Sequence, residues 1–117
     1  MIYFISGHLD LTDEEFSEHY QPLIDNVLTE EVSFVVGDAR GADTKSQSYL
    51  HGKTDKVTVY HMFESPRNNK GFNTKGGFTS DSSRDKQMTL DSTHDIAWIR
   101  PGRENSGTAR NLKRRKV

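Results

Sequence analysis

Three glycine-containing turns follow apolar, strand-like runs, and these turns are the segments of the chain best suited to holding an anion. They are Ser6-Gly7-His8, the turn from Gly37 to Gly41, and the turn from Pro101 to Thr108, which includes Gly102, Ser106 and Gly107. Glycine lets the backbone approach a ligand closely, and the start of a helix offers unpaired amides and the positive end of its dipole. Because Ser106 and Thr108 add hydroxyl donors around Gly107, this last turn is a candidate phosphate cradle.

Two arginines near these turns could recognise a phosphate group. A guanidinium is planar and binds a phosphate through two parallel hydrogen bonds, which suits Arg40 in the second turn and Arg84 further along the chain. A simpler interpretation of Arg40 is a solvent-exposed turn residue. The simpler interpretation of Arg84 is a surface base paired with Asp81 or Asp85.

Three carboxylates are candidate general acids or bases, namely Asp38, Asp43 and Glu104. Each also has a structural interpretation: Asp38 as a turn residue, Asp43 as a helix N-cap and Glu104 as a solvated loop carboxylate. The five histidines show no spacing typical of metal ligands, so we expect no metal site and no cofactor.

A strand–helix alternation positions these residues. Strands are predicted over 1–6, 32–36, 56–60 and 94–99, and helices over 12–27, 42–50, 81–90 and in the final segment. An almost continuous apolar run is typical of a strand buried on both faces of a parallel sheet. The pattern therefore predicts an α/β fold with a mostly parallel sheet of about four strands. Residues 64–80 have no periodicity and are predicted to form a long loop.

The first helix is expected to contain a discontinuity. Residues 12–15 have the Thr-x-x-Glu spacing of a capping box, which predicts the helix start at Thr12. Pro22 lacks an amide donor, so it should kink or restart the helix. The buried stripe is predicted to be Phe16, Tyr20, Leu23 and Val27.

Composition limits the chain to one small domain over residues 1–117. It has 117 residues, no cysteine and a net charge of -1. The absence of cysteine excludes a disulfide framework, a thiolate zinc site and a cysteine nucleophile. The chain shows neither a signal-peptide pattern nor an apolar run of bilayer length, so we expect a cytoplasmic protein with no membrane partner.

Taken together, the segments 37–43, 83–88, 95–99 and 101–108 resemble the SLOG superfamily, whose members include DprA-like proteins, LOG phosphoribohydrolases and small YspA-like proteins. Residues 37–43 are most similar to the signature of the YspA-like branch. The resemblance implies a Rossmann-like three-layer sandwich that binds a nucleotide or a nucleotide-derived ligand at the strand edge. It implies that this site contains Gly7, Arg40, Gly41, Asp43, Arg84, Gly107 and Thr108.

One departure from the family pattern weakens the case for catalysis. In LOG hydrolases the glycine-rich turn leads to a glutamate associated with N-glycosidic cleavage, whereas Asn111 stands at that place here. Asparagine cannot donate or accept a proton as a general acid or base. The leading expectation is therefore ligand binding with a sensing, sequestering or accessory role, and the alternative is a nucleotide N-glycosidase or phosphoribohydrolase.

The basic tail, residues 110–117, supports a third expectation. The segment 100–117 carries seven basic residues and one acidic residue, whereas 8–31 carries eight acidic residues and no lysine or arginine. Such a tail is either a solvated helix face or a nucleic-acid contact. Its basic residues are Arg110, Lys113, Arg114, Arg115 and Lys116. A homodimer that buries the apolar surface around Phe63 and Trp98 is a further expectation.

Overall fold

The computed structural model describes residues 1–116, apart from the side chain of Lys116, and shows an α/β fold with a fully parallel sheet. The strands are β1 (Ile2–Ile5), β2 (Ser33–Gly37), β3 (Val57–Met62), β4 (Asn73–Phe78) and β5 (His94–Ile96). Their order in the sheet is β4-β3-β2-β1-β5. The predicted fold class is confirmed, with five strands where about four were expected.

The additional strand, β4, lies within the segment 64–80, so the prediction of a continuous loop there was wrong. Strand β4 reads Asn-Thr-Lys-Gly-Gly-Phe and is almost entirely exposed. It pairs only with β3 at the edge of the sheet, and a β-bulge interrupts their register. An exposed edge strand buries no apolar face, and therefore it lacks the periodicity from which strands are predicted.

Helices cover both faces of the sheet and complete a Rossmann-like three-layer sandwich. They are α1 (Asp13–His19), α2 (Gln21–Val27), α3 (Ala42–Leu50), α4 (Asp81–Asp91) and α5 (Gly107–Lys116). Residues of α1, α2 and α3 share a core with Ile5, Phe34 and Val59. On the opposite face, Met88 of α4 packs with Phe4 and other strand residues. Among the described residues, no helix combines the length and apolar character that a bilayer-spanning segment needs.

The predicted discontinuity separates α1 from α2. The capping box at Thr12 is present, and Pro22 lies in the first turn of α2, after α1 has ended at His19. The break changes the helical phase, so Ile24 is fully buried while Leu23 remains 45% exposed. The predicted stripe was therefore wrong at Leu23.

The strand order reverses beside β1, and this reversal opens a crevice in the sheet. Strands β1 to β4 follow one another in a single direction, and the chain then crosses to place β5 on the other side of β1. In open parallel sheets, ligands bind outside the carboxyl ends of the strands at such a reversal.

Candidate functional site

A cavity of about 610 Å³ opens at the carboxyl edge of the sheet. Loops after β1 and β2, the loop after β3, the first turns of α4 and the segment leading into α5 all contribute to its walls. Among the residues predicted for the site, those that line it are Ser6, Gly7, Arg40, Asp43, Arg84, Ser106, Gly107 and Thr108. Residues from separate turns are thus brought together around one space.

Five of the predicted residues do not line this cavity. They are three expected ligand contacts, Gly37, Gly41 and Gly102, and two candidate general acids or bases, Asp38 and Glu104. Gly37 lies beneath the site, because a Cβ there would come within 2.5 Å of the Asp43 carboxylate and 2.9 Å of the Arg84 guanidinium. Gly41 has φ +75°, and a Cβ there would lie 2.4 Å from the carbonyl oxygen of His8. Both glycines therefore serve the packing of the site.

Asp38 is a buried anchor for two arginines. It is 1% exposed and accepts hydrogen bonds from the Arg67 amide at 2.8 Å, the Arg67 guanidinium at 2.7 Å and the Arg84 guanidinium at 2.9 Å. Burial acts to raise the pKa of Asp38, but the bonds and charges of these arginines leave that pKa below its usual value. Asp38 is therefore ionised near neutral pH and a poor candidate for proton transfer.

Arg84 is a buried residue within the same network and not a surface base. It is 5% exposed, and its guanidinium contacts Asp85 at 3.0 Å and Asp81 at 3.2 Å in addition to Asp38. Burial acts to lower the pKa of Arg84, but the charges of Asp43 and Asp85 raise it above its usual value. Most of its donors are already used, so Arg84 adds positive charge to the cavity wall more than it offers free hydrogen bonds.

Asp43 is the carboxylate of the site whose protonation is most perturbed. It is 7% exposed, and its Oδ2 accepts a hydrogen bond from the Ala39 amide at 3.1 Å. Burial raises the pKa of Asp43 to about 7, against the opposing charge of Arg84. Gly41, not Asp43, is the N-cap of α3. Asp43 can therefore exist in either protonation state near neutral pH.

The start of α5 offers unpaired donors. Ser106 caps the helix by accepting a hydrogen bond from the Ala109 amide at 3.2 Å. The backbone amides of Gly107 and Thr108 donate to no acceptor within residues 1–116. Arg110 and Arg114 line the same cavity from the next turns of α5. This arrangement is suited to binding an anion, since the helix dipole and the arginine charges act on one space.

Three arginines of the cavity have no carboxylate partner among the described residues. Arg40 is exposed and makes no ion pair there, Arg110 donates to the Asn105 carbonyl at 2.9 Å, and Arg114 donates to Asn111 at 2.7 Å. The other three lining arginines pair with aspartates; they are Arg67, Arg84 and Arg103. An incoming anion would therefore find uncompensated positive charge on the rim.

Glu104, a candidate general acid or base, and Asn111, which stands at the place of the family's glutamate, have structural roles. Glu104 accepts a hydrogen bond from the Gly102 amide at 2.8 Å and thereby closes an exposed turn. Asn111 is buried and donates to Asp85 at 3.1 Å, which links α5 to α4. Neither side chain supplies a carboxylate to the cavity.

His8 fixes the loop after β1 against the loop after β5. Its Nε2 accepts a hydrogen bond from the Arg100 amide at 2.9 Å, which requires a neutral ring with the proton on Nδ1. Burial, followed by the charges of Arg100 and Arg103, lowers the pKa of His8 and favours this form. His8 lines the cavity as a neutral residue.

The basic tail divides between the cavity and the protein body. Arg115 donates to Asp95 at 2.8 Å and to the Ser92 carbonyl at 2.9 Å, so it holds α5 against the end of α4 and β5. Lys113 is exposed, and the side chain of Lys116 and the whole of Val117 lie outside the described residues. Arg110 and Arg114 line the cavity, and the nucleic-acid contact of the tail stays a prediction.

The aromatic residues expected at a dimer surface differ in burial. Trp98 is partly buried and stacks on His19, with ring centroids 4.0 Å apart and an interplanar angle of 7°. Phe63 is 65% exposed. The homodimer stays a prediction.

Residues 67, 81, 85, 110 and 114 were not predicted as part of the site from the sequence. Arg67 follows β3, so the rule that ligands bind beyond the carboxyl ends of strands could have indicated it. Residues 107, 110, 111 and 114 share the helical spacing of one face of α5, which was a second usable signal. The pairing of Arg67 with Asp38 has no signal in the sequence, because 29 positions separate them.

No group of metal-ligating side chains suited to a cation occurs within residues 1–116. Comparison of the chain with models of protein families, with curated proteins and with solved structures finds no match.

Proposed function

We propose that this chain binds a phosphate ester, of the nucleotide or nucleotide-derived class, in the cavity at the carboxyl edge of its sheet. A sensing, sequestering or accessory role follows from binding without a dedicated catalytic glutamate. The resemblance to the SLOG superfamily suggests the nucleotide class. The observation that carries the proposal is the convergence of unpaired α5 amides and arginines without carboxylate partners on one cavity.

The charge balance of the cavity favours an anion. Six arginines and four aspartates line it, and Asp43 is the aspartate whose charge is least stable because burial raises its pKa to about 7. Arg40, Arg110 and Arg114 offer guanidinium groups that can form bidentate bonds with phosphate oxygens. An anion also relieves the repulsion among these three positive charges.

Calorimetric titration with nucleoside monophosphates and with inorganic phosphate tests this proposal. Each charged hydrogen bond removed should weaken binding roughly 10- to 100-fold, so Arg40→Ala should bind these ligands at least about 10-fold more weakly than the natural chain. Lys113→Ala is the matched control, because Lys113 is exposed on α5 and does not line the cavity. Failure of all these ligands to bind, or equal weakening by both variants, would contradict the proposal.

N-glycosidic hydrolysis is a second candidate function, and Asp43 is the observation that favours it. Its carboxyl group lines the cavity and is poised near neutral pH, as a general acid requires. In this reaction the water oxygen bonds to the anomeric carbon while the carbon–nitrogen bond breaks. The departing base takes the bond electrons and a proton from Asp43, and the carboxylate regains a proton from the water.

Release of free base from nucleoside monophosphates distinguishes hydrolysis from binding alone. Hydrolysis predicts release by the natural chain and roughly 100-fold slower release by Asp43→Asn, the loss typical of general acid catalysis. Glu104→Gln is the control, since Glu104 lies outside the cavity. Binding with no released base would refute this second candidate and leave the first intact.

A further inference from the structure

The cavity wall holds one buried hydroxyl and one carboxylate oxygen that make no hydrogen bond to the described residues. Asp43 uses its Oδ2 to accept from the Ala39 amide, while its Oδ1 has no partner within residues 1–116. Ser6 is 6% exposed, and its hydroxyl also has no partner there. Buried polar groups are nearly always hydrogen-bonded in folded proteins, so each exception calls for an explanation.

The two groups belong to one packed junction between the loop after β1 and the start of α3. A Cβ at Gly7 would lie 2.5 Å from the Ala42 Cβ, and the Ala42 amide donates to the His8 carbonyl at 3.2 Å. Ser6 precedes Gly7 and Asp43 follows Ala42, so both residues flank this contact. Both also line the cavity.

Their chemistry is complementary. An ionised carboxylate oxygen accepts a hydrogen bond, and a serine hydroxyl can donate one; a ligand hydroxyl can satisfy both at once because it donates and accepts.

The cavity offers little aromatic surface on which a base could stack. Phe4 is the one Phe, Tyr or Trp among the described lining residues, and it is 1% exposed. The cavity thus offers hydrogen bonds to a sugar more readily than stacking to a base.

We propose that Asp43, assisted by Ser6, binds a sugar hydroxyl of the ligand, so that the cavity selects ribose phosphates over their deoxy counterparts. This inference rests on the proposed phosphate-ester binding. Asp43 Oδ1 is the principal acceptor. The Ser6 hydroxyl is closed to solvent, so its assistance requires rotation to another staggered χ1 rotamer.

The test compares adenosine monophosphate with its 2′-deoxy and 3′-deoxy analogues by calorimetric titration of the natural chain, near pH 8 so that Asp43 is ionised. Removing the recognised hydroxyl should weaken binding roughly 10- to 100-fold, because it takes away the hydrogen-bond donor to the Asp43 carboxylate. If both deoxy analogues bind as tightly as adenosine monophosphate, this inference fails while phosphate-ester binding stands. If none of the three binds, the proposed function fails and this inference fails with it.

Variants assign the discrimination to named side chains. Asp43→Asn should reduce the difference between adenosine monophosphate and its weaker deoxy analogue to about 3-fold or less, and Ser6→Ala should reduce it partly. Ser46→Ala is the matched control, because Ser46 holds the other unpartnered buried hydroxyl and does not line the cavity. Full discrimination retained by Asp43→Asn would overturn the assignment.

Discussion

Replacing Asp38 with asparagine should destabilise the fold far more than the same replacement at Asp81. Both aspartates contact the same two arginines: Asp38 contacts Arg67 at 2.7 Å and Arg84 at 2.9 Å, and Asp81 contacts them at 3.0 Å and 3.2 Å. The two pairs differ in burial, because the Asp38 side chain is 1% exposed and the Asp81 side chain 59%. Burial is therefore the main difference between the two aspartates, together with the hydrogen bond that Asp38 accepts from the Arg67 amide.

The expected magnitudes follow from that difference. Removing one member of a buried ion pair costs about 3–5 kcal/mol, and Asp38→Asn takes the buried partner from Arg67 and Arg84, which keep the exposed Asp81. An exposed pair contributes about 0–1 kcal/mol. In a domain of this size 1 kcal/mol shifts Tm by roughly 4 °C, so Asp38→Asn should lower Tm by about 12–20 °C and Asp81→Asn by about 4 °C or less.

Thermal and urea unfolding followed by circular dichroism measure both variants. The experiment is best done near neutral pH, where Asp38 is ionised because its pKa lies below the usual value. This carboxylate stabilises the folded chain above its unfolded pKa, and the contribution is lost as the pH falls through its folded pKa. Equal destabilisation by Asp38→Asn and Asp81→Asn would refute the interpretation of Asp38 as a buried anchor.

Three further predictions concern two residues that line the cavity and one, Tyr20, that supports its wall from behind. Tyr20 is fully buried, and its hydroxyl donates to the Ser6 carbonyl at 2.7 Å and accepts from the Trp98 amide at 3.1 Å, so Tyr20→Phe should lower the free energy of unfolding in urea by about 1–3 kcal/mol. The control Tyr49→Phe removes an exposed hydrogen bond and should lower it by less than about 1 kcal/mol; similar losses in both variants would contradict the prediction. A Cβ at Gly107 would meet nothing closer than 3.7 Å, so Gly107→Ala should change the free energy of unfolding by less than about 1 kcal/mol. The variant keeps the amide but adds a methyl group at a residue that lines the cavity, so calorimetry should show weaker phosphate binding, and unchanged affinity would count against close contact between the ligand and the start of α5. Burial raises the pKa of Asp43 from 3.8 to about 7, so the folded chain holds this proton more tightly than the unfolded chain and its stability falls as the pH rises between these values. Relative to the natural chain, Asp43→Asn should therefore gain stability between about pH 5 and about pH 7, by at most about 1.4 kcal/mol per pH unit, and a difference independent of pH would show that Asp43 is not the group responsible.

The parts of the fold that bury apolar residues could be predicted from the sequence. The strand at 32–36 and the helix at 42–50 are observed within one residue of their expected bounds, because Gly37 ends the first and Gly52 follows the second. The edge strand β4 could not be predicted, because its residues face solvent. Its position depends on pairing with β3, which is a tertiary contact.

The position of the candidate site at the edge of the sheet could be predicted from the sequence, but the ion pairs within the site could not. The rule that ligands bind beyond parallel strands correctly grouped Arg40, Arg84 and Thr108 around one cavity. The sequence could not reveal that Asp38 is ion-paired with Arg67 and Arg84, since these contacts join residues far apart in the chain. Which carboxylate stays free for chemistry is decided by such long-range pairs.

The most direct test of phosphate-ester binding is a titration followed by the backbone amide resonances of the ¹⁵N-labelled chain. Adenosine monophosphate should shift the amides of Gly107 and Thr108 progressively and to saturation, together with those around Arg40, while the amides of β4 at the far edge of the sheet stay in place. Resonances of α5 that do not move at saturating ligand, or shifts confined to surfaces away from the cavity, would contradict the account.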